Sequence, residues 1–195
     1  MHHPLESLRR RVLDGMILPF VLLSLLMLLI LNIIGLPLVT PAAPYGIISF
    51  ELARDEAQAI AVLASWEAPA RLRAAFSLGL DFLFIPIYTA ALTLTCLWAA
   101  RFRRERRRFP YSLVVIGMPG ILLAWAQMGA GLMDVVENIA LLRMLLGGVS
   151  APWPQIASLC AFSKFGLLAA GMLYSLIALA AYASAVLFHR RSVGI

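Results

Sequence analysis

Residues 16–38 read MILPFVLLSLLMLLILNIIGLPL, 23 consecutive positions without a charged side chain. At about 1.5 Å of helical rise per residue, such a run is long enough to cross a hydrocarbon layer about 30 Å thick. It follows Arg9, Arg10 and Arg11 and exceeds the apolar region of a secretory signal peptide, so it reads as a retained transmembrane helix. Three further apolar stretches, residues 74–100, 111–146 and 156–188, are separated by Pro69, Pro110, Pro152 and Pro154, residues that punctuate helices. Composition agrees. Apolar residues make up 62% of the 195 positions and charged ones 13%, against roughly 45–50% and 25% in soluble domains. The expected fold is therefore all-α: an integral membrane four-helix transmembrane bundle forming a single domain over residues 1–195. Its long connection, residues 39–73, carries Phe50, Ala53, Ala57, Ile60, Ala61 and Ala64 at helical spacing, which predicts a short amphipathic helix in the outer loop between spans one and two. Trp66 beyond it suits the headgroup layer.

Arginine placement predicts the orientation. Arg9 to Arg11, the basic loop 101–110 and the pair Arg190 and Arg191 hold eleven of the 16 basic residues. By the positive-inside rule all three clusters are cytoplasmic, which an even number of spans allows. Loop 39–73, with Glu51, Asp55, Glu56 and Glu67 against Arg54, Arg71 and Arg73, then faces outward.

The same clusters account for the net charge of +6 without a nucleic-acid partner, because they flank apolar segments. Cys96 and Cys160 lie in separate spans with no CxxC spacing, and His2, His3 and His189 all lie near the termini. That pattern provides no intramembrane haem ligand and no metal-ligand spacing, so neither metal nor cofactor is expected.

Five polar residues interrupt the spans: Asp81 on the second, Asp134, Glu137 and Asn138 on the third, and Lys164 on the fourth. A charged side chain at the bilayer centre costs at least about 2.5 kcal/mol, so such residues face a protein interior, a cavity or a partner charge. Counting from the cytoplasmic ends, Asp81 is 19 residues from Ala100, Asp134 is 23 from Tyr111 and Lys164 is 23 from Leu187. At about 1.5 Å per residue, all three reach a level roughly 28–35 Å away, the outer leaflet boundary. Gln127, Gly131, Asp134 and Asn138 share one helical stripe, Asp81, Tyr88 and Thr95 another, and Cys160, Lys164, Gly171, Ser175 and Ala178 a third. The stripes predict that Asp81, Asp134 and Lys164 form one buried cluster. Lys164, the chain's single lysine, is its counter-ion, and the surplus of acids favours protonation of one of them. Tyr88 and Gln127 read as ordinary interhelical hydrogen-bonding residues.

The runs Leu80-Asp81-Phe-Leu-Phe-Ile-Pro86-Ile-Tyr88 and Gly131-Leu-Met-Asp134-Val-Val-Glu137-Asn138, with Lys164-Phe165 following, resemble a group of small bacterial four-span integral membrane proteins of uncharacterised function. The resemblance covers residues 50–180. It implies a four-helix architecture in the bacterial cytoplasmic (inner) membrane and names no reaction.

Two readings of the cluster stand side by side. It is either an ion-pair lock for the helices or a site. As a site, Asp81, Asp134, Glu137, Asn138 and Lys164 would bind a small amphipathic molecule or lipid headgroup in a non-enzymatic protein, with a membrane-protein partner or a second copy as a further option. A proton-linked small transporter is the first alternative, although Tyr88, Thr95, Gln127 and Ser175 form a thin relay. A lipid-modifying enzyme using Asp134 or Glu137 as acid or base is the second, without a Ser/His pair, phosphate loop or metal spacing behind it.

Overall fold

The computed structural model describes residues 10–105 and 117–193. Met1 to Arg9, residues 106–116 and the last two residues lie outside the described residues, and with them the second half of the basic loop and the start of the third expected span. The described residues form six α-helices: α1 (Arg10–Gly35), α2 (Ile47–Glu51), α3 (Glu56–Ala64), α4 (Ala68–Glu105), α5 (Gly117–Gly147) and α6 (Trp153–Val193). A 3-10 turn, Leu36–Leu38, continues α1. No strand occurs among the described residues; Thr40 and Ala43 form one isolated bridge in the connection after that turn.

Among the described residues three helices are long and apolar enough to cross a membrane, over Asp14–Leu38, Ala68–Arg101 and Trp153–Ser184. Helix α5 is not among these three; it carries Gln127, Asp134, Glu137 and Asn138 within its described length. Helices α4 and α6 begin earlier than the apolar runs alone suggest. Pro69 and Pro154 sit in their first turns, where a missing N–H costs no intrahelical bond and the fixed φ suits the helix.

Helices α4, α5 and α6 pack on one another along their lengths, and α1 lies against α4. Glycine sets the spacing at two of these contacts. A Cβ on Gly131 would meet the Thr89 hydroxyl across the α4–α5 contact at 2.6 Å, and one on Gly171 would overlap the Gln127 amide across the α5–α6 contact. Without the methyl groups the backbones approach closely, the way membrane helices gain dispersion contact when no hydrophobic drive separates them from lipid. Helix α1 is different. Leu18, Leu22, Leu25, Leu29 and Ile33 are exposed, so it is apolar on nearly every face and shares little surface with the rest.

Two short helices stand where the spacing predicts one. Leu52, Ala53 and Arg54 break the run, and Asp55 starts α3 by accepting a hydrogen bond from the Gln58 N–H at 2.8 Å. The Gln58 side chain accepts in return from the Arg54 N–H at 3.0 Å, so the residues before and inside the first turn satisfy each other's free backbone groups. At the other end of α3 the Arg71 guanidinium donates to the Leu63 and Trp66 carbonyls, a cation where the helix dipole is negative.

Trp66 is not a headgroup-layer ring. It is 2% exposed, meets Phe50 edge-on at 5.6 Å and donates from Nε1 to the Leu38 carbonyl at 2.8 Å. Phe50, Trp66, Leu38, Val62 and Leu63 pack on Ala74, Leu78, Leu141, Met144 and Ala157 of the long helices. Burying each large side chain contributes about 1.5–3 kcal/mol. The connection between α1 and α4 is thus a second packed layer over the helix ends. Its sealing position brings α2 down toward the polar residues of the spans.

Candidate functional site: a polar cluster at the end of an apolar groove

Lys164 organises the cluster. Its Nζ donates to Asp134 Oδ1 at 2.6 Å and to Glu137 Oε1 at 2.9 Å, and stands 3.7 Å from Glu51 Oε2. Tyr88 donates from its hydroxyl to the other oxygen of Asp134 at 2.6 Å, and Asn138 donates to Asp81 Oδ2 at 2.6 Å. Glu137 is fully buried, Asp134 is 3% exposed and Lys164 5%. All five residues singled out in the spans are brought into this one region. Helix α5 contributes three of them because positions 134, 137 and 138 share a face at spacings of three and four.

Two participants come from elsewhere. Tyr88 makes an interhelical hydrogen bond, as its reading expects, and the acceptor is a member of the cluster. Glu51, which reads in sequence as an ordinary acid of the connection, reaches Lys164 from the last position of α2. A signal for it is present in the run Ile47-Ile48-Ser49-Phe50-Glu51, an acid closing an apolar segment. Burial raises the Glu51 carboxyl above its ordinary 4.5, with Lys164 pulling the other way. Glu137 Oε2 is buried with no hydrogen-bond partner among the described residues.

Three carboxyl groups therefore surround one buried ammonium, and a fourth, Asp81, stands beside them on Asn138. The Coulomb energy of the close pairs offsets the desolvation of Lys164, Asp134 and Glu137, but the surplus acids need protons or a further cation. Among the described residues no group of His, Cys, Asp and Glu is arranged to hold a metal ion.

The cluster closes one end of a groove of about 1120 Å³, larger than the roughly 300–1,000 Å³ of ordinary small-molecule pockets. One wall is α1 from Asp14 to Leu36, and the other is formed by α4 from Ser77 to Trp98 and α6 from Lys164 to Leu179. At about 1.5 Å per residue the α1 wall is about 33 Å long. Leucine, isoleucine, valine and phenylalanine make most of the surface, while Glu51, Asp81, Tyr88, Asp134, Asn138 and Lys164 gather at the α2 end. Part-way along, Ser175 and Thr95 share a hydrogen bond of 3.4 Å, so this stretch of wall carries little unsatisfied polarity. Chemically, the arrangement can accommodate a long apolar chain and hold a polar head.

No family model, curated protein or solved structure matches the chain, and its functional reading rests on the groove and the cluster themselves.

Proposed function

We propose that this chain is a non-enzymatic integral membrane protein of four spans that binds a small amphipathic molecule or lipid headgroup at a polar site on the outer leaflet boundary. In this reading α5 crosses the membrane too, as the third span along the chain, and the arginines after Ala100 and near both termini lie in the cytoplasm. Asp81 is 20 residues from Arg101, about 30 Å of helix, which supports a site at the far side of the hydrocarbon layer. Helices α2 and α3 then roof the site from outside, as an outer-loop element. The bacterial cytoplasmic membrane is the setting this orientation fits.

The observation that carries the proposal is the continuity of the groove with the cluster. An ion-pair lock needs only Lys164 and its acids between packed helices. Here the lock opens onto an apolar channel about 33 Å long by helical rise, bounded by a helix, α1, that leaves most of its surface exposed. A chain lying along α1 would cover Leu18, Leu25 and Leu28 while its head met Asp81 and Glu51.

Native mass spectrometry of the protein purified in a nonionic maltoside tests this. The wild type is expected to retain one amphiphile per chain. Leu168→Trp and Leu28→Trp, on opposite walls of the groove, are expected to lose it with the melting temperature held within a few degrees. A retained amphiphile unaffected by either tryptophan, or no retained amphiphile at all, refutes the proposal.

A further inference from the structure

The sign of the head follows from which charges at the groove's end are already satisfied. Lys164 is the one basic side chain among the residues lining the groove, and it is the natural anchor for a phosphate or carboxylate head. Its ammonium is engaged by Asp134 and Glu137 at 2.6 and 2.9 Å, with Glu51 at 3.7 Å. Three carboxylates around one ammonium leave it no capacity to neutralise an incoming anion. The acids, by contrast, are in surplus. Asp81 lines the groove with its hydrogen bond from Asn138 on one oxygen, Glu51 lines it from α2, and Glu137 Oε2 is a fully buried acceptor without a donor. A phosphate placed here would sit among like charges with no free cation, whereas a head bearing N–H donors and positive charge would offset them.

We infer that the groove takes a long-chain primary amine, an amphiphile whose head is an ammonium and carries no phosphate. The inference rests on the proposed binding of an amphiphile in the groove and specifies its chemistry. The ammonium lies between Asp81 and Glu51, both charge-assisted acceptors, and the chain runs along α1 between Leu28 and Leu168. An alkyl ammonium titrates near 10, as a lysine does, and is charged at neutral pH. Specificity then comes from repulsion as much as attraction, because the same acids that hold an ammonium reject an anion. Arg54, which stacks over Phe162 at 5.0 Å, is not among the residues lining the groove, so it does not change this balance.

The test compares three probes with one chain, hexadecylamine, hexadecanol and hexadecyl phosphate, by thermal shift and native mass spectrometry in a nonionic maltoside, with dipalmitoyl phosphatidylethanolamine as a fourth. Hexadecylamine is expected to bind at least about tenfold more tightly than the other three, the equivalent of one charge-assisted hydrogen bond. Asp81→Asn and Glu51→Gln keep shape while removing charge, and each is expected to lower amine affinity about tenfold. Glu51→Gln, at the end of a short helix rather than within a span, is the variant to read if Asp81→Asn melts early. Leu168→Trp is expected to abolish binding of the amine. Equal or tighter binding of hexadecyl phosphate, hexadecanol or the phospholipid, sensitive to Leu168→Trp, overturns the ammonium assignment and leaves the groove reading standing. Amine binding unchanged in Glu51→Gln and Asp81→Asn overturns the assignment as well. Failure of all four probes to bind, or binding indifferent to Leu168→Trp, overturns both.

Discussion

Replacing Lys164 by Met removes the ammonium at the centre of the cluster and keeps most of its apolar stem. Asp134 and Glu137 lose hydrogen bonds of 2.6 and 2.9 Å, and Glu51 loses its nearest cation. Asp134 retains the Tyr88 hydroxyl, so its loss is partial; Glu137, already with one oxygen unpartnered, loses the Lys164 ammonium from the other. Breaking a buried ion pair from one side costs about 3–5 kcal/mol. For a chain of this size about 1 kcal/mol corresponds to roughly 2–4 °C in melting temperature, so Lys164→Met should melt about 6–20 °C below wild type. Differential scanning fluorimetry on the intrinsic tryptophans in a nonionic maltoside reads the shift. Adding Asp134→Asn and Glu137→Gln to the same chain removes the uncompensated charges while keeping side-chain shape, and the triple variant is expected to recover most of the loss. A single variant that melts within about 2 °C of wild type, which is under about 1 kcal/mol, would show that Lys164 is not neutralising buried charge. Recovery of stability together with full retention of amphiphile would separately show that these charges serve only as a lock.

Glu51→Gln should change the pH dependence of stability. The Glu51 carboxyl is raised above 4.5 by burial, so the folded state holds its proton more firmly than the unfolded state and this contribution weakens as pH rises through and above 4.5. The glutamine variant should gain on wild type with increasing pH in parallel melts, and a constant difference across the range refutes the assignment. Gly171→Leu places a side chain against the Gln127 amide, which donates to the Leu167 carbonyl at 2.9 Å; overpacking of this kind should cost about 1–3 kcal/mol, read as a lower melting temperature, and an unchanged melt would contradict the close α5–α6 approach. For orientation, a cysteine at Glu56, an exposed position, should react with an impermeant maleimide added to intact cells and one at Arg104 should not. The reverse pattern would move the polar site to the inner leaflet.

The cluster was legible because of contrast. Asp81, Asp134, Glu137, Asn138 and Lys164 interrupt apolar runs, and a residue that costs free energy in a hydrocarbon layer announces a partner. Helical periodicity then puts Asp134, Asn138 and Gln127 on one stripe, and the structure has all three facing neighbouring helices through hydrogen bonds or buried contact. Glu51 and Trp66 lacked that contrast. Both lie in a connection where acids and aromatic rings are ordinary, and their burial depends on a chain break at residues 52–54, the capping exchange between Asp55 and Gln58, and the Trp66 bond to Leu38. None of these is a property of periodicity.

From the sequence alone, the membrane character follows: uninterrupted apolar length is a one-dimensional quantity, and the need to satisfy backbone hydrogen bonds in lipid leaves helix as the conformation for such runs. The identity of most cluster residues follows too, since the cost of a buried charge belongs to the residue type. The groove does not. It exists because α1 leans mainly on α4 while α5 and α6 close on each other through Gly171 and Gln127, and side chains as similar as leucine and isoleucine do not encode in advance which faces will meet. The fourth acid likewise enters from α2 only once the α2–α3 layer has packed down on the helix ends. That contact spans more than one hundred residues between Glu51 and Lys164, and only the folded chain brings it within reach.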